Sequence, residues 1–130
     1  MNDQTARTMP VVVALPAEID VTNSEQVHDQ ILTALEPGVD VVIADMTSTS
    51  FCDSSGVHAL VFAHEAAVAR GIQLRLAVSP DGSVRRVLQL IGVGRILSIH
   101  SRLAEAEEAA EAAEAAAEAE EAAESAAEAD

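Results

Sequence analysis

A chain of 130 residues can build one domain with a packed core and is too short for two ordinary ones. Its formal charge of −15 is unevenly spread: residues 1–102 hold seven Arg against eleven acids, a net −4, whereas residues 103–130 hold eleven acids and no base, a net −11. No basic surface suited to nucleic-acid phosphates or an anionic membrane is legible, the lack of any lysine excludes a P-loop and Schiff-base catalysis, and the single cysteine, Cys52, excludes an internal disulfide and CxxC metal or redox motifs.

Residues 1–8 are polar, carry no periodicity and read as a flexible leader. Val11–Leu15 reads as a strand entered through Pro10, with Ile19 continuing the extended run beyond Pro16. Asp20, Thr22, Asn23 and Ser24 are turn and cap residues, and the helix that follows, over about 24–36, places Val27, Ile31, Leu32 and Leu35 on one face before Pro37-Gly38. Val39–Ala44 is nearly continuous apolar sequence, as expected of a central strand covered on both faces, and Asp45–Ser50 reads as polar loop.

Beyond Gly56, the positions Val57, Leu60, Val61, His64 and Val68 recur at helical spacing up to Arg70-Gly71. Ile72–Val78 alternates as a strand, and a short helix over about 83–91 is expected to bury Val84, Val87, Leu88 and Ile91. Ile96–Ile99 is a last strand, after which a helix starts near Ser101. The alternation of strands and helices predicts an α/β fold: one mixed sheet of about four or five strands covered by helices, within a domain spanning 9–106.

Residues 107–130 form an acidic Ala/Glu-rich tail, helical or disordered. Ala favours helix but offers little core surface, and Glu111, Glu114, Glu118, Glu121 and Glu124 repeat at spacings where like charges repel. The expectation is a solvated, fraying helix tied to the domain near Leu103, without the large a and d residues of a coiled coil.

The chemistry concentrates at Phe51-Cys52-Asp53-Ser54-Ser55-Gly56, where a strand pattern gives way to a helix. The first N–H groups of a helix lack intrahelical partners and carry partial positive charge, so the junction suits an anion as well as a capping side chain. Asp53, Ser54 and Ser55 therefore have two readings, as turn and cap residues or as a modified surface, and Asp20 likewise reads as a turn acid or as part of that surface. Gly56 fits a tight approach of chain segments, and Cys52, with no base beside it in sequence, fits a small core residue. Arg85 and Arg86 read as a solvated helix edge, and Asp45 as a turn residue.

The run Val42-Ile43-Ala44-Asp45-Met46 followed by Phe51-Cys52-Asp53-Ser54-Ser55-Gly56-Val57-His58-Ala59-Leu60 resembles the STAS domain of bacterial anti-sigma factor antagonists. Ala17-Glu18-Ile19-Asp20, Gly71–Leu76, Val84–Leu88 and Gly92 extend the likeness in matching order over about residues 10–106. The chain departs from the family pattern where Ala17 replaces the usual Gly, in a short first hairpin, and in the tail. The resemblance implies a partner that is both anti-sigma factor and serine kinase, phosphorylation of the motif's second serine, here Ser55, and a serine phosphatase that reverses it. It also implies a partner surface of Asp20, Asp53, Ser54, Ser55 and Gly56 in a cytoplasmic, non-enzymatic regulator without cofactor or metal.

Two alternatives stay open. One is a STAS-type scaffold or small-ligand sensor that is never phosphorylated. The other is a serine hydrolase, although Cys-Asp-Ser-Ser-Gly is not the Gly-x-Ser-x-Gly elbow, His58 lies too close along the same helix to act as a triad base, and Val68 stands where a zincin string begun by His64-Glu65 needs its second His.

Overall fold

The computed structural model describes residues 10–129; the leader expected at 1–8 lies outside them. Strands β1 (Val11–Ala14), β3 (Val41–Met46), β5 (Gln73–Val78) and β6 (Ser98–His100) form one sheet in the order β1-β3-β5-β6. Between successive strands of this sheet run α1 (Ser24–Ala34), α2 (Ser54–Ala69) and α3 (Ser83–Ile91), each returning the chain to the same end. The described ladders are therefore all parallel, where a mixed sheet was expected. A separate two-stranded parallel ladder joins β2 (Glu18–Ile19) to β4 (Phe51–Cys52), and α4 (Leu103–Ala129) follows β6.

Side-chain alternation divides the strands between two cores. Val13, Val42, Ala44, Leu74, Leu76 and Val78 point to the layer of α1, α2 and α3, where they meet Val27, Ile31, Val57, Leu60, Ala63 and Leu88. Val41, Ile43 and Ala77 point the other way, to Ala106 and Ala110 of α4. Both faces of β3 are thus covered, which accounts for its unbroken apolar sequence. The strand also runs two residues further than expected: Met46 is buried, and Asp45 accepts hydrogen bonds from Thr47 N (3.0 Å) and Thr47 Oγ1 (2.7 Å), combining strand and turn roles.

Helix phase corrects three other expectations. On α2 the inward stripe is Gly56, Val57, Leu60, Ala63 and Ala67, so Val68 projects into solvent. On α3 the buried residues are Val84 and Leu88, with Val87 partly covered, while Ile91 is exposed where the helix ends at left-handed Gly92. A 3₁₀ turn over Val93–Arg95 then buries Val93 and Leu97, which delays β6 to Ser98.

Arg85 is no solvated edge. Its Nη2 donates to Val78 O (3.0 Å) at the end of β5 and to Ser101 Oγ (3.2 Å) ahead of α4, pinning three elements, whereas Arg86 is exposed. The packing of α4 likewise reaches beyond its first turn. Ala106 is fully buried and Ala110 nearly so, because small methyl groups let the helix approach Val41, Ile43 and Ala77 closely.

Candidate functional site

The site is built where the small β2–β4 ladder meets the start of α2. Parallel pairing sets Glu18 against Phe51 and Ile19 against Cys52, and Asp53 N–H donates to Ile19 O at 3.2 Å. The two chain segments leave this ladder side by side, bringing Asp20 next to the Asp53–Gly56 junction despite their separation in sequence. Of the five candidate residues the structure thus gathers all, but in different environments: Ser54 is exposed, Asp20, Asp53 and Ser55 are half-buried, and Gly56 is buried.

Asp53 is the N-cap of α2. Its Oδ1 accepts from Ser55 N (3.0 Å), Gly56 N (3.4 Å) and Ser55 Oγ (2.5 Å), satisfying donors that the first helical turn leaves free. The Ser55 hydroxyl, followed by the backbone N–H groups, holds the Asp53 carboxyl below its ordinary 3.8. Capping and presentation of Ser55 are therefore compatible, since one carboxylate oxygen does both.

Gly56 is required sterically. A Cβ there would lie 2.6 Å from Cys52 Sγ and 2.7 Å from Ile19 Cγ2, so the close seating of α2 on the ladder excludes any side chain. Burial, reinforced by the neighbouring Asp53 charge, pushes the Cys52 thiol up to about 11, which keeps it protonated and inert.

Asp20 organises the adjoining turn. Its Oδ1 accepts from Thr22 N (2.9 Å) and Thr22 Oγ1 (2.5 Å), its N–H donates to Asn23 Oδ1 (2.9 Å), and Asn23 Nδ2 donates to Glu18 O (2.8 Å). This network fixes the loop that leads into α1, whose first residues face α2 across a groove of about 350 Å³ lined by Ser24, Glu25, His28, Ser55, His58, Ala59 and Phe62.

Both aromatics of the chain, Phe51 and Phe62, are at the surface. Phe62 is 57 % exposed and Phe51 46 % exposed, and Val21 beside Asp20 is also exposed. Phe62 shares the groove with Ser55 and approaches His58 with ring centroids 6.4 Å apart, while Phe51 lies two residues before Asp53. A signal was available for Phe62: it is out of phase with the stripe of Val57, Leu60, Ala63 and Ala67. Exposed aromatics bordered by Glu18, Asp20, Glu25 and Asp53 make a surface suited to an apolar, basic partner protein.

The arrangement around Ser55 differs from that of a nucleophilic serine. Its hydroxyl donates to a carboxylate rather than to an imidazole, and His58 lies exposed on the same helix. Among the described residues, no group of three or more His, Cys, Asp or Glu is placed to hold a metal ion, and no helix is long and apolar enough to cross a membrane.

A family model for the STAS domain matches residues 2–106. The solved structure of the anti-sigma factor antagonist SpoIIAA in its unphosphorylated form shares 30% identity and a TM-score of 0.61 over 76% of this chain and 85% of that one. The phosphorylated form of the Bacillus cell fate determinant SpoIIAA shares 29% identity and a TM-score of 0.56 over 76% and 88%. A sulfate transporter family protein from Wolinella succinogenes, at 19% identity, shares the fold with a TM-score of 0.64 over 78% and 84%. No curated protein matches the chain.

Proposed function

The chain belongs to the STAS domain family, and from that premise we propose that it is an anti-sigma factor antagonist controlled by phosphorylation of Ser55. Unphosphorylated, it binds an anti-sigma factor that is also a serine kinase and so frees a sigma factor for transcription. Phosphorylation by that kinase breaks the association, and a serine phosphatase restores it. The partner surface comprises Asp20, Asp53, Ser54 and Ser55, seated by Gly56, with catalysis supplied by the kinase and phosphatase.

The observation that carries this reading is the Ser55 hydroxyl at the start of α2, half-exposed and oriented by Asp53 beside a groove with an exposed aromatic wall. The existence of both phosphorylated and unphosphorylated SpoIIAA structures supports a phosphorylation switch in this chain. A phosphate adds about −1.5 to −2 charges at pH 7. The helix start tolerates such charge, but Asp53 loses the hydroxyl proton it now accepts and meets a like charge instead. The added charge and bulk act on the docking face without requiring the domain to refold.

The test is phosphorylation by candidate kinases with ATP, mapped by mass spectrometry in the parent chain, Ser55→Ala and Ser54→Ala. Phosphate confined to Ser55, accompanied by loss of kinase binding, is the expected result; binding that persists regardless of phosphate would sink the switch. A second reading, a small-ligand sensor, is favoured by a groove of about 390 Å³ at the C-terminal ends of β3 and β5, lined in part by Thr47, Ser48, Ser50, Ser79 and Ser83. It requires a ligand that raises Tm in the unphosphorylated chain and in Ser55→Ala alike.

A further inference from the structure

The charges of this chain are segregated along its length. Residues 10–69 contain nine acids and no Arg, residues 70–102 contain six Arg and one acid, and residues 103–130 contain eleven acids and no base. The middle segment, net +5, supplies β5, α3, the 3₁₀ turn and β6. Arg86 on α3 and Arg95 in the turn before β6 are exposed, as is Arg70 just past α2, where it lines a groove with Leu35, Glu36 and Ile72, and none of the three has an ion pair among the described residues.

Four of the eight exposed large apolar side chains among the described residues lie on the end of α2, on α3 and just after the 3₁₀ turn: Val68, Leu90, Ile91 and Ile96. Leu90, 80 % exposed, lies one helical turn from Arg86, while Ile96 adjoins Arg95 and Val68 is two residues from Arg70. Val68 and Ile96 line one groove of about 280 Å³ with His64 and Arg75, beside the outermost strand. A groove that combines Val68, Ile72, Leu74 and Ile96 with the Arg75 guanidinium, and that Arg95 adjoins through Ile96, fits an acidic helix whose own side chains are small.

α4 is such a helix. Beyond Ala110 it continues to Ala129, about 28 Å further at 1.5 Å per residue, with Glu111, Glu118 and Glu120 exposed and Ala between them. It starts beside β6 and packs across β5 and β3, so its continuation runs away from its own β6 edge. We propose that the acidic end of α4 docks on the Val68–Ile96 groove and the exposed Arg70, Arg86 and Arg95 of a second copy of this chain. Reciprocal docking makes a closed two-fold dimer with two equivalent contacts, and the Ser55 site stays outside it. At moderate salt the Debye length is about 8–10 Å, so distant repulsion between the two net-negative chains is screened while the Glu–Arg contacts persist.

The test is sedimentation and light scattering of the full chain in about 0.1 M and about 1 M NaCl. A dimer is expected at the lower salt, with a Kd that rises about tenfold or more at the higher. The arginine variant Arg86→Glu/Arg95→Glu and the tail variant Glu111→Lys/Glu118→Lys/Glu120→Lys should each be monomeric alone and form a one-to-one dimer when mixed, because the reversed charges then complement each other. Circular dichroism should match the parent in both. A parent chain that remains monomeric at the lower salt overturns the proposal, as does a dimer that survives both charge reversals, or variants that stay monomeric when mixed.

Discussion

The Asp53 carboxylate accepts the Ser55 hydroxyl at 2.5 Å while capping the N–H groups of Ser55 and Gly56, so helix stability and acceptor orientation depend on one side chain. Because the folded state holds this carboxyl below its ordinary 3.8, its contribution to stability is fully present above that value and is lost as the pH falls through the lower folded-state value. Asp53→Ala is expected to lower Tm at pH 7 and to flatten the acid limb of a Tm-against-pH curve. Asp53→Asn should retain part of the cap and lose the acid dependence. An unchanged acid limb in both variants would show that this carboxyl is not held as described.

Gly56 offers a test of sign. In an exposed helix interior Gly→Ala stabilises by up to about 1 kcal/mol, but here the added methyl meets Cys52 Sγ and Ile19 Cγ2 well inside contact distance. Gly56→Ala is therefore expected to destabilise by about 1–3 kcal/mol, measured by urea unfolding. Cys52→Ala removes one of the two clashing atoms, so the double variant should be less destabilised than the sum of the singles. Additivity would mean that α2 is not seated against Cys52.

The α/β alternation, the doubly covered β3 and the junction at Asp53 were legible because period, composition and capping chemistry are local. Burial on α2 was misread because Ala63 and Ala67 carry weak hydropathy while Val68, larger and one residue out of phase, drew attention instead. The β2–β4 ladder escaped notice because two residues per strand leave no periodicity, and with it went the reason Asp20 and Asp53 belong together. The docking of α4 was illegible for a related reason. Nothing in a run of Ala and Glu says that Ile43 and Ala77 leave a shallow sheet face for Ala106 and Ala110 to fill.

Arg85 was read as solvated because nothing in sequence reveals a carbonyl acceptor on another element. Its guanidinium bonds to Val78 O and Ser101 Oγ link β5, α3 and the start of α4. Arg85→Ala should destabilise by about 1–3 kcal/mol. Arg85→Lys should restore only part of this, since a single ammonium lacks the planar fork. Equal stability of Lys and Arg at this position would reduce the anchor to simple charge.

The Cys52 thiol, buried and pushed up to about 11, should be almost wholly protonated at pH 8, with about one part in a thousand as thiolate. Reaction with a disulfide reagent is expected to be slow in the native protein and to reach the rate of a free thiol in denaturant. Fast native labelling would instead require that the β2–β4 ladder open readily.

The tail combines strong helix propensity with repulsion between like charges one turn apart, as at Glu107 and Glu111 or Glu114 and Glu118. Each such pair opposes the helix by about 0.2–0.5 kcal/mol while both are ionised. Screening by about 1 M NaCl at pH 7 weakens this opposition, so the helical circular dichroism signal at 222 nm of a dilute, monomeric sample should rise with salt. A chain ending at Ala110 keeps the two alanines that pack on the sheet and should lack most of the rise. A flat signal in the full chain would mean that contacts along α4 already offset the repulsion.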